Sequence, residues 1–416
     1  MIGTSAFLGI PHRRIATLLD AVAPEPGSSG RSAESEALEA RFARAVLSTM
    51  IEPGDTDAGA LMGALGPIEA ARCVVDGVDA ADLLARVGAD PSSARQRSRL
   101  TGALERWRAR GSAEAGARAL EMAAHVHARL LAPEDAGWPQ GLPSLGAGEP
   151  VALWVRGDPT RLERLDRSVS LVGARAATGY GEHVAMESAA GLGDRGFAVV
   201  SGGAYGIDGA AHRAAVASGH VTVAFLAGGV DRLYPAGHSD LLRRVGDTGL
   251  LIGELPCGST PTRWRFLMRN RLIAAVSGAT VVIEAGHRSG SLNTAGHAAE
   301  MGRPLGAVPG PVTSPASAGC HRLIREYAAT CVTTVDEMAE LADPIGAGRD
   351  AGYPEGADPD SPDGVVLSAV RAGRGGDPED LAHTTGLASR HVVAALGRLE
   401  LAGAVRLTGR GWEAAP

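Results

Sequence analysis

The chain has 416 residues, a length typical of two to four domains of roughly 100–200 residues each. Its formal net charge is −7 at pH 7, so any anion-binding site must be a local patch of positive charge. All 40 basic residues are arginine. The absence of lysine excludes a Walker A nucleotide site, a Schiff base on a lysine and a lysine general base.

The cysteines bear on the cellular setting and on metal binding. They are widely spaced and form no Cys-x-x-Cys pair: Cys73, Cys257, Cys320 and Cys331. This spacing argues against a zinc ribbon or a redox pair and favours a reduced, cytoplasmic setting. No uninterrupted apolar run approaches about 18 residues, so we predict neither a membrane span nor a membrane contact. We also expect no metal ion and no cofactor.

The first part of the chain divides into two regions. Residues 1–35, which end in a Pro-, Gly- and Ser-rich stretch, predict a flexible extension. Residues 36–131 follow a helical period, as at Phe42 and Val46, and predict a small helical domain. A plain bundle is one interpretation. The other is a SAM-like or helix–hairpin–helix-like domain, because residues 60–72 are similar to the element whose glycine turn binds a DNA phosphate. Helix breaks are predicted at Pro53-Gly54, Gly66-Pro67 and Gly111-Ser112.

Over residues 132–342 short β-branched runs alternate with amphipathic helices. Such alternation predicts an α/β fold in which helices cover a mostly parallel sheet. The predicted strands are Val151–Val155, Val169–Val172, Phe197–Val200, Val221–Leu226, Leu250–Gly253, Thr280–Ile283 and Leu305–Val308.

The end of the chain predicts a separate small module. Residues 343–362 are rich in Pro, Gly and Asp and predict a linker. Residues 363–416 predict three helices and a hairpin, the order of a winged helix-turn-helix. The third helix is expected to bury Val392, Val393, Leu396 and Leu399. Six arginines match six carboxylates here, whereas duplex-reading domains are usually basic, so DNA reading and protein contact are both open.

Two glycine-rich loops carry the strongest functional signal, because each follows an apolar strand and opens a helix. The first, residues 173–181, exposes backbone N–H groups and one guanidinium, Arg175. It lacks the Gly-x-Gly-x-x-Gly fingerprint, so Arg175 either clasps a phosphate or is a solvated turn residue. The second, residues 201–208, supplies Ser201, three glycines and Tyr205. Sequential strands would place the loops side by side, which suits a polyphosphate or a nucleic-acid backbone.

Asp208 and His212 lie four residues apart on the helix that follows the second loop. This spacing would suit an acid–base pair, but a helix cap and an orienting hydrogen bond are the simpler interpretation. We therefore predict structural roles for Asp208 and His212, and no catalytic residue.

Residues 263–271 combine four arginines with Trp264 and Phe266. A groove for single-stranded nucleic acid needs cations for the phosphates and aromatic rings for the bases. The alternative is a helix start with solvated arginines and core aromatics.

A third loop, residues 284–295, also joins a strand to a helix. With a rigid turn at 307–311, four strand ends would direct loops to one rim of the sheet. The predicted nucleic-acid-binding residues are Gly173, Ala174, Arg175, Ser201, Gly202, Gly203, Tyr205, Gly206, Arg263, Trp264, Arg265, Phe266, Arg269, Asn270, Arg271, Ser289, Gly290 and Ser291. We further predict that Arg175, Arg269 and Arg271 line one site.

These motifs together resemble the DNA-processing protein A family, also called DprA or Smf. The resemblance rests on the order and spacing of Val-Gly-Ala-Arg, Ser-Gly-Gly-Ala-Tyr-Gly-Ile-Asp, Arg-Asn-Arg-Leu-Ile-Ala, Ser-Gly-Ser-Leu-Asn-Thr-Ala and Val-Pro-Gly over residues 135–336. It implies an extended Rossmann-like core that dimerises and binds single-stranded DNA. It also implies protection of incoming DNA and loading of RecA recombinase during natural transformation, without an enzymatic reaction.

Two departures and one competing class accompany this resemblance. The family pattern has arginine where Tyr205 stands and Phe-Pro where Leu267 and Met268 stand, which bears on the strength of strand binding. The competing class is a nucleotide-binding phosphoribohydrolase-like enzyme of the lysine-decarboxylase-like group. Those enzymes carry a Pro-Gly-Gly-x-Gly-Thr loop and a downstream glutamate, whereas this chain has Ser-Gly-Ser at 289–291 and Glu300.

Overall fold

The structure is a computed structural model that describes residues 6–23, 31–343, 361–374, 376–401, 404–408 and 411–414. The chain divides into two compact units, Met1–Asp343 and Pro344–Pro416. Each unit has hydrophobic core residues of its own.

The first unit begins with two short strands and six helices. They are β1 (Ala6–Phe7), β2 (Ile10–Pro11), α1 (His12–Asp20), α2 (Arg31–Met50), α3 (Thr56–Val75), α4 (Ala80–Arg86), α5 (Ala94–Arg110) and α6 (Ala113–His125). The predicted flexible extension is wrong for residues 6–23, because Phe7, Ile15 and Leu19 are at most 2% exposed and pack into the helical core. The amphipathic spacing of α1 buries one of its faces. The structure does not describe residues 1–5 and 24–30.

The helices of this region break where glycine and proline predict breaks. Gly66 has a φ of 73° and precedes Pro67, so α3 consists of two helical pieces joined by a kink. Among the described helices, α3 alone is long and apolar enough to cross a membrane by length and composition. Leu61 and Ala70, one from each piece, are buried in the helical core.

A nine-stranded sheet forms the rest of the first unit, in the order β11-β10-β9-β5-β6-β7-β8-β4-β3. Its strands are β3 (Ala128–Leu131), β4 (Leu153–Gly157), β5 (Ser168–Gly173), β6 (Ala198–Ser201), β7 (Thr222–Leu226), β8 (Leu250–Gly253), β9 (Ala279–Glu284), β10 (Leu305–Ala307) and β11 (Thr330–Cys331). Its helices are α7 (Gly179–Asp194), α8 (Ile207–Ala217), α9 (Ser239–Thr248), α10 (Arg263–Val276), α11 (Ser291–Glu300), α12 (Ala318–Glu326) and α13 (Val335–Ala342). Neighbouring strands from β11 to β8 are parallel, whereas β4 and β3 pair in antiparallel fashion. The predicted Rossmann-like, mostly parallel α/β fold is confirmed.

All seven predicted strands form, with bounds that differ from the prediction by at most two residues. The strand β3 corrects the prediction that residues 36–131 are helical throughout. It pairs with β4, with Leu130 opposite Trp154, so a partner distant in sequence sets its conformation rather than a local period. The two-residue strand β11 was also not predicted.

Four neighbouring parallel strands, β10, β9, β5 and β6, end at the same edge of the sheet. In the register of β5 with β6, Val169 lies opposite Val199. The loops that follow Gly173, Ser201 and Glu284 therefore emerge together. We call this edge the rim.

The second unit contains α14 (Pro362–Ala369), a π-helical turn (Val370–Arg374), α15 (Pro378–Thr385), α16 (Ser389–Leu401), β12 (Val405–Thr408) and β13 (Gly411–Ala414). This element order is the predicted one. Val393 does not share the buried face, since it is 56% exposed while Val392 and Leu396 are buried one helical turn apart. Most of the predicted linker lies outside the described residues, and the winged helix-turn-helix and the remaining domain bounds stay predictions.

Candidate nucleic-acid interface

The first two glycine-rich loops lie in direct contact at the rim. The Ile207 N–H donates a hydrogen bond to the Ala174 carbonyl at 3.2 Å. Gly206 permits this approach, because its φ is 73° and an added Cβ would lie 2.2 Å from the Ala174 oxygen. A Cβ at Gly173 would similarly lie 2.4 Å from Ile207 Cγ1. The glycines are therefore required for the two loops to lie side by side.

Glu284, the last residue of β9, anchors the first loop. Its carbonyl accepts a hydrogen bond from the Ala174 N–H at 2.6 Å. Its carboxylate accepts from the Thr178 N–H and the Thr178 hydroxyl, each at 2.8 Å. Thr178 in turn caps α7 by accepting from the Gly181 N–H at 3.2 Å. These hydrogen bonds hold the shape of the loop. Glu284 is 2% exposed, so its carboxylate is shielded from solvent.

Asp208 holds the second loop to α8. Its carboxylate accepts hydrogen bonds from the Gly202 N–H at 3.2 Å and the Ala204 N–H at 3.4 Å. The predicted helix cap is corrected, because Gly206 occupies the N-cap position and Asp208 lies in the first turn. Burial raises the pKa of Asp208, and the charge of nearby Arg269 opposes this shift.

His212 lies in the core behind the second loop and is fully buried. The Thr222 hydroxyl donates to the Val199 carbonyl at 2.8 Å, so the His212 Nδ1–H donates to the Thr222 oxygen, also at 2.8 Å. Burial lowers the pKa of His212 to about 3, which keeps the ring neutral. His212 and Asp208 thus bond to different partners and form no acid–base pair.

Helix α10 presents one of its faces to the rim. Thr262 caps this helix by accepting a hydrogen bond from the Arg265 N–H at 3.3 Å. Residues three or four apart share a face of an α-helix. The face toward the rim carries Arg263, Phe266, Arg269, Asn270 and Ile273.

A cavity of about 1030 Å³ opens between this face of α10 and the three glycine-rich loops. We call it the rim cavity. Its charged and aromatic lining residues in the described chain are Arg175, Arg263, Arg269, Arg288, Asp208, Tyr234 and Phe266. Four arginines against one carboxylate give the cavity an excess of positive charge. Backbone at 173–176 and 289–291 completes the wall, so the cavity is suited to anions such as phosphate.

Two guanidinium groups lie over the ring of Phe266. The Cζ atom of Arg175 is 5.2 Å from the ring centroid and that of Arg269 is 5.7 Å from it. The Tyr234 ring lies 5.6 Å from the Phe266 ring, centroid to centroid, at an interplanar angle of 53°. Positive charge and aromatic faces are therefore adjacent in one cavity.

The Arg269 guanidinium group bonds to the protein through one Nη atom and can bond to a ligand through the other. Its Nη1 donates to the Gly202 carbonyl at 2.7 Å and to the Phe225 carbonyl at 2.5 Å. Burial lowers the pKa of Arg269 to about 10, so the group stays protonated at neutral pH. Within the described residues no acceptor bonds its Nη2, nor the guanidinium of the exposed Arg175. Both groups can therefore donate to an anion in the rim cavity.

The rim cavity brings together ten of the predicted residues: Gly173, Ala174, Arg175, Arg263, Phe266, Arg269, Asn270, Ser289, Gly290 and Ser291. Ser201, Gly202 and Gly203 are buried beneath the rim. Gly206 contributes backbone shape, as described above.

Arg265 and Arg271 lie on the other side of α10. Arg265 pairs with Glu52 at 2.9 Å, and Arg271 pairs with Glu254 at 2.7 Å. The prediction that Arg271 lines one site with Arg175 and Arg269 is therefore wrong.

Tyr205 and Trp264 are exposed but do not line the rim cavity. The Tyr205 hydroxyl accepts a hydrogen bond from the Gly237 N–H at 3.3 Å, and its ring packs edge-on against His238 at 4.7 Å. Leu267, by contrast, lines the cavity.

The lining residues that were not predicted to bind nucleic acid include Arg288, Asn293 and Tyr234. Arg288 precedes Ser289, so the basic residue inside the third loop was a usable local signal. Asn293 accepts a hydrogen bond at its Oδ1 from the Asn270 Nδ2 at 3.2 Å. Tyr234 lies in an irregular segment after β7 and carries no local signal, because its approach to Phe266 depends on the sheet order.

Comparisons with known proteins show the family to which this chain belongs. Residues 129–343 match the family model described as DNA recombination-mediator protein A. A Mycobacterium tuberculosis protein that carries the name DNA processing protein DprA is 43% identical over 373 residues, which cover 86% of this chain and 90% of that one. The DNA processing protein DprA of Streptococcus pneumoniae is 37% identical over 192 residues, which cover 46% of this chain and 67% of that one. The X-ray structure of DprA from Streptococcus pneumoniae matches with a TM-score of 0.56 and 28% identity, over 73% of this chain and 97% of that one. The chain therefore belongs to the DNA recombination-mediator protein A family.

Proposed function

We propose that this protein binds single-stranded DNA in the rim cavity, through phosphates and stacked bases and with little sequence preference. It protects incoming DNA and loads RecA recombinase onto the strand during transformation or recombination, and it catalyses no reaction. It acts as a homodimer in the cytoplasm. Membership of the family supports the role in recombination, and four free cysteine thiols support a reducing compartment.

The observation that carries the proposal is the grouping of Arg175 and Arg269 around Phe266. The two guanidinium groups can bind successive phosphates, and the Phe266 and Tyr234 rings can stack on bases. Stacking of this kind needs unpaired bases, because the bases of a duplex already stack on each other. Asn270, the one amide on the α10 face, is hydrogen-bonded to Asn293, which supports weak sequence preference.

The phosphoribohydrolase-like alternative has less support. Its downstream glutamate would correspond to Glu300, whose side chain is 76% exposed and pairs with His297 at 3.4 Å. Glu300 is not among the residues that line the rim cavity. A catalytic acid for that reaction would have to reach the cavity.

Fluorescence anisotropy with a labelled single-stranded oligonucleotide tests the proposal. The logarithm of the binding constant should fall linearly with the logarithm of salt concentration, with a slope of about −0.7 per phosphate contact. A duplex of the same length should compete poorly. Salt-independent binding, or a preference for duplex, would contradict the proposal, and turnover of a nucleoside monophosphate by the purified protein would favour the enzyme.

The partner proposals have their own tests. RecA filament assembly on single-stranded DNA should become faster when this protein is added, and an unchanged rate would overturn the loading role without affecting DNA binding. Sedimentation equilibrium should give twice the monomer mass of 42.3 kDa.

A further inference from the structure

Helix α10 has a second face, opposite the rim cavity, that packs against the helical region of the first unit. The segment between α2 and α3 lies on this face. An added Cβ at Gly54 would lie 3.1 Å from the Met268 Sδ and 3.3 Å from the Arg271 Nε. The helical region is therefore in close contact with the helix that carries Arg263 and Phe266.

Glu52 makes the polar link across this contact. Its carboxylate accepts two hydrogen bonds from Arg265, from the Nε at 3.1 Å and from the Nη2 at 2.9 Å. A bidentate pair of this kind fixes geometry as well as charge. Arg110, at the end of α5, also donates to Glu52. Burial opposes ionisation, but the hydrogen bonds from Arg265 and Arg110 hold the pKa of Glu52 below its usual value, so the pair is ionised near neutral pH.

Hydrogen bonds of Asp55 hold the segment that carries Glu52 to the helical region. Asp55 caps α3 by accepting hydrogen bonds from the Asp57 and Ala58 N–H groups, at 3.0 and 3.3 Å. It also accepts a hydrogen bond from the Nε1 of the buried Trp107 at 2.9 Å. Glu52 is thus tied to the core of the helical region on one side and to α10 on the other.

Arg265 also forms hydrogen bonds with residues at the edge of the rim cavity. Its Nη1 donates to the Thr260 carbonyl at 2.7 Å, and its backbone N–H donates to the Thr262 hydroxyl. Thr262 lines the cavity, as do Arg263 and Phe266 on either side of Arg265. One side chain therefore connects Glu52 to the capping residue and the first turn of α10.

We propose that Glu52 is a positioning residue of the nucleic-acid site: through Arg265 it holds the first turn of α10 so that Arg263 and Phe266 meet the DNA strand. This inference rests on the proposed function. It assigns the helical region a part in DNA binding that needs no contact with DNA.

The sign of the effect of Glu52→Ala separates positioning from simple electrostatics. Removing a carboxylate near a phosphate-binding site should strengthen binding if charge alone matters. Positioning predicts the opposite, with single-stranded DNA bound about three- to tenfold more weakly. Glu114→Ala is the matched control, because Glu114 is half-exposed and pairs with Arg14 rather than with α10. The Glu114→Ala variant should bind single-stranded DNA with unchanged affinity.

A double-mutant cycle tests the route of the effect. The fold-loss in DNA affinity of the double variant Glu52→Ala/Phe266→Ala should differ from the product of the two single losses, because both substitutions act through the first turn of α10. The fold-loss of the double variant Glu52→Ala/Arg288→Ala should equal the product of the two single losses within about twofold, because Arg288 lies on a different loop. Additivity with Phe266→Ala would overturn the proposed route.

The measurements distinguish failure of this inference from failure of the proposed function. If the wild-type protein does not bind single-stranded DNA, the proposed function fails. If it binds and Glu52→Ala, folded by its thermal melting, binds equally or more tightly, the positioning role is overturned. If Glu52→Ala melts below the assay temperature, Glu52→Gln takes its place, since it keeps the side-chain volume and one accepting oxygen. Weaker binding by Glu52→Gln supports the inference, and equal or tighter binding overturns it.

Discussion

Arg269 and Arg271 are separated by one residue on α10, yet they serve opposite sides of the helix. Arg269 lines the rim cavity, whereas Arg271 forms a bidentate pair with Glu254 and also donates to the Gly148 carbonyl at 2.9 Å. The reason is the helical period, since two residues turn an α-helix by about 200°. In α10 this rotation places Arg269 in the rim cavity and Arg271 outside it.

This division predicts different consequences for two similar substitutions. Arg271→Ala leaves the Glu254 carboxylate, 12% exposed, without its partner and should lower the free energy of unfolding by about 3–5 kcal/mol. Single-strand affinity, measured well below the melting temperature, should change by less than about threefold. Arg269→Ala should lose affinity and stability together, because Arg269 also bonds the Gly202 and Phe225 carbonyls. A stable Arg271→Ala protein that has lost DNA binding would contradict this division. Urea denaturation and anisotropy provide the two measurements.

Arg175 should act on binding alone. Its guanidinium is exposed and contacts the Phe266 ring, so Arg175→Ala should leave thermal melting unchanged. The loss of a charge-assisted hydrogen bond to phosphate should weaken single-strand binding by roughly 1.5–3 kcal/mol, about ten- to a hundredfold. Arg213→Ala, at an exposed arginine outside the cavity, is the control for general charge loss. Equal losses in the two variants would show that Arg175 has no specific contact.

The Tyr234 and Phe266 rings should contribute to stacking with bases. Phe266→Ala should weaken single-strand binding by about 1–3 kcal/mol, the range for one stacked base, and Tyr234→Ala should cost a comparable amount. Tyr234→Phe keeps the aromatic face and should bind like the wild type. If Tyr234→Phe loses as much affinity as Tyr234→Ala, the hydroxyl rather than the ring carries the contact. Titration of each variant against the same oligonucleotide decides this.

Deletion of residues 362–416 should leave a folded first unit. The hydrophobic core of α14 to β13 consists of residues of the second unit, so the deletion removes no core residue of the first unit. Single-strand affinity should stay within about threefold, because a module with balanced charge gains little from counterion release. Loss of most affinity with unshifted melting would make the second unit the primary DNA reader. Melting and anisotropy on the shortened protein are the test.

His212 should make stability depend on pH. Its pKa falls from 6.5 in the unfolded chain to about 3 in the folded protein, because the ring is buried. Below pH 6.5 the unfolded chain takes up a proton that the folded protein does not, so stability falls as the pH falls. Between pH 6 and pH 4 the wild type should lose about 2–3 kcal/mol more than His212→Gln, by urea denaturation. Parallel stability profiles of the wild type and His212→Gln would show that the pKa of His212 is the same in the folded and unfolded states, and this would contradict the prediction.

The sequence by itself determined the α/β class and the position of the site. Apolar runs such as Val169–Val172 form strands because their periodicity is local, and a parallel sheet then brings the loops after Gly173, Ser201 and Glu284 to one rim. Glycine patterns also marked the helix breaks near Gly66 and Gly111. Each of these features depends on residues that are close neighbours along the chain.

Only the tertiary structure decided which side chains enter the rim cavity. Arg265 and Arg271 find their partners Glu52 and Glu254 on the other side of α10, and the sheet order brings Tyr234 to Phe266. The strand β3 and the buried side chains within residues 6–23, such as Phe7 and Ile15, likewise depend on partners elsewhere in the chain. The physical reason is that ion pairs, ring contacts and edge-strand pairing join residues far apart in sequence, and no local period encodes such partners.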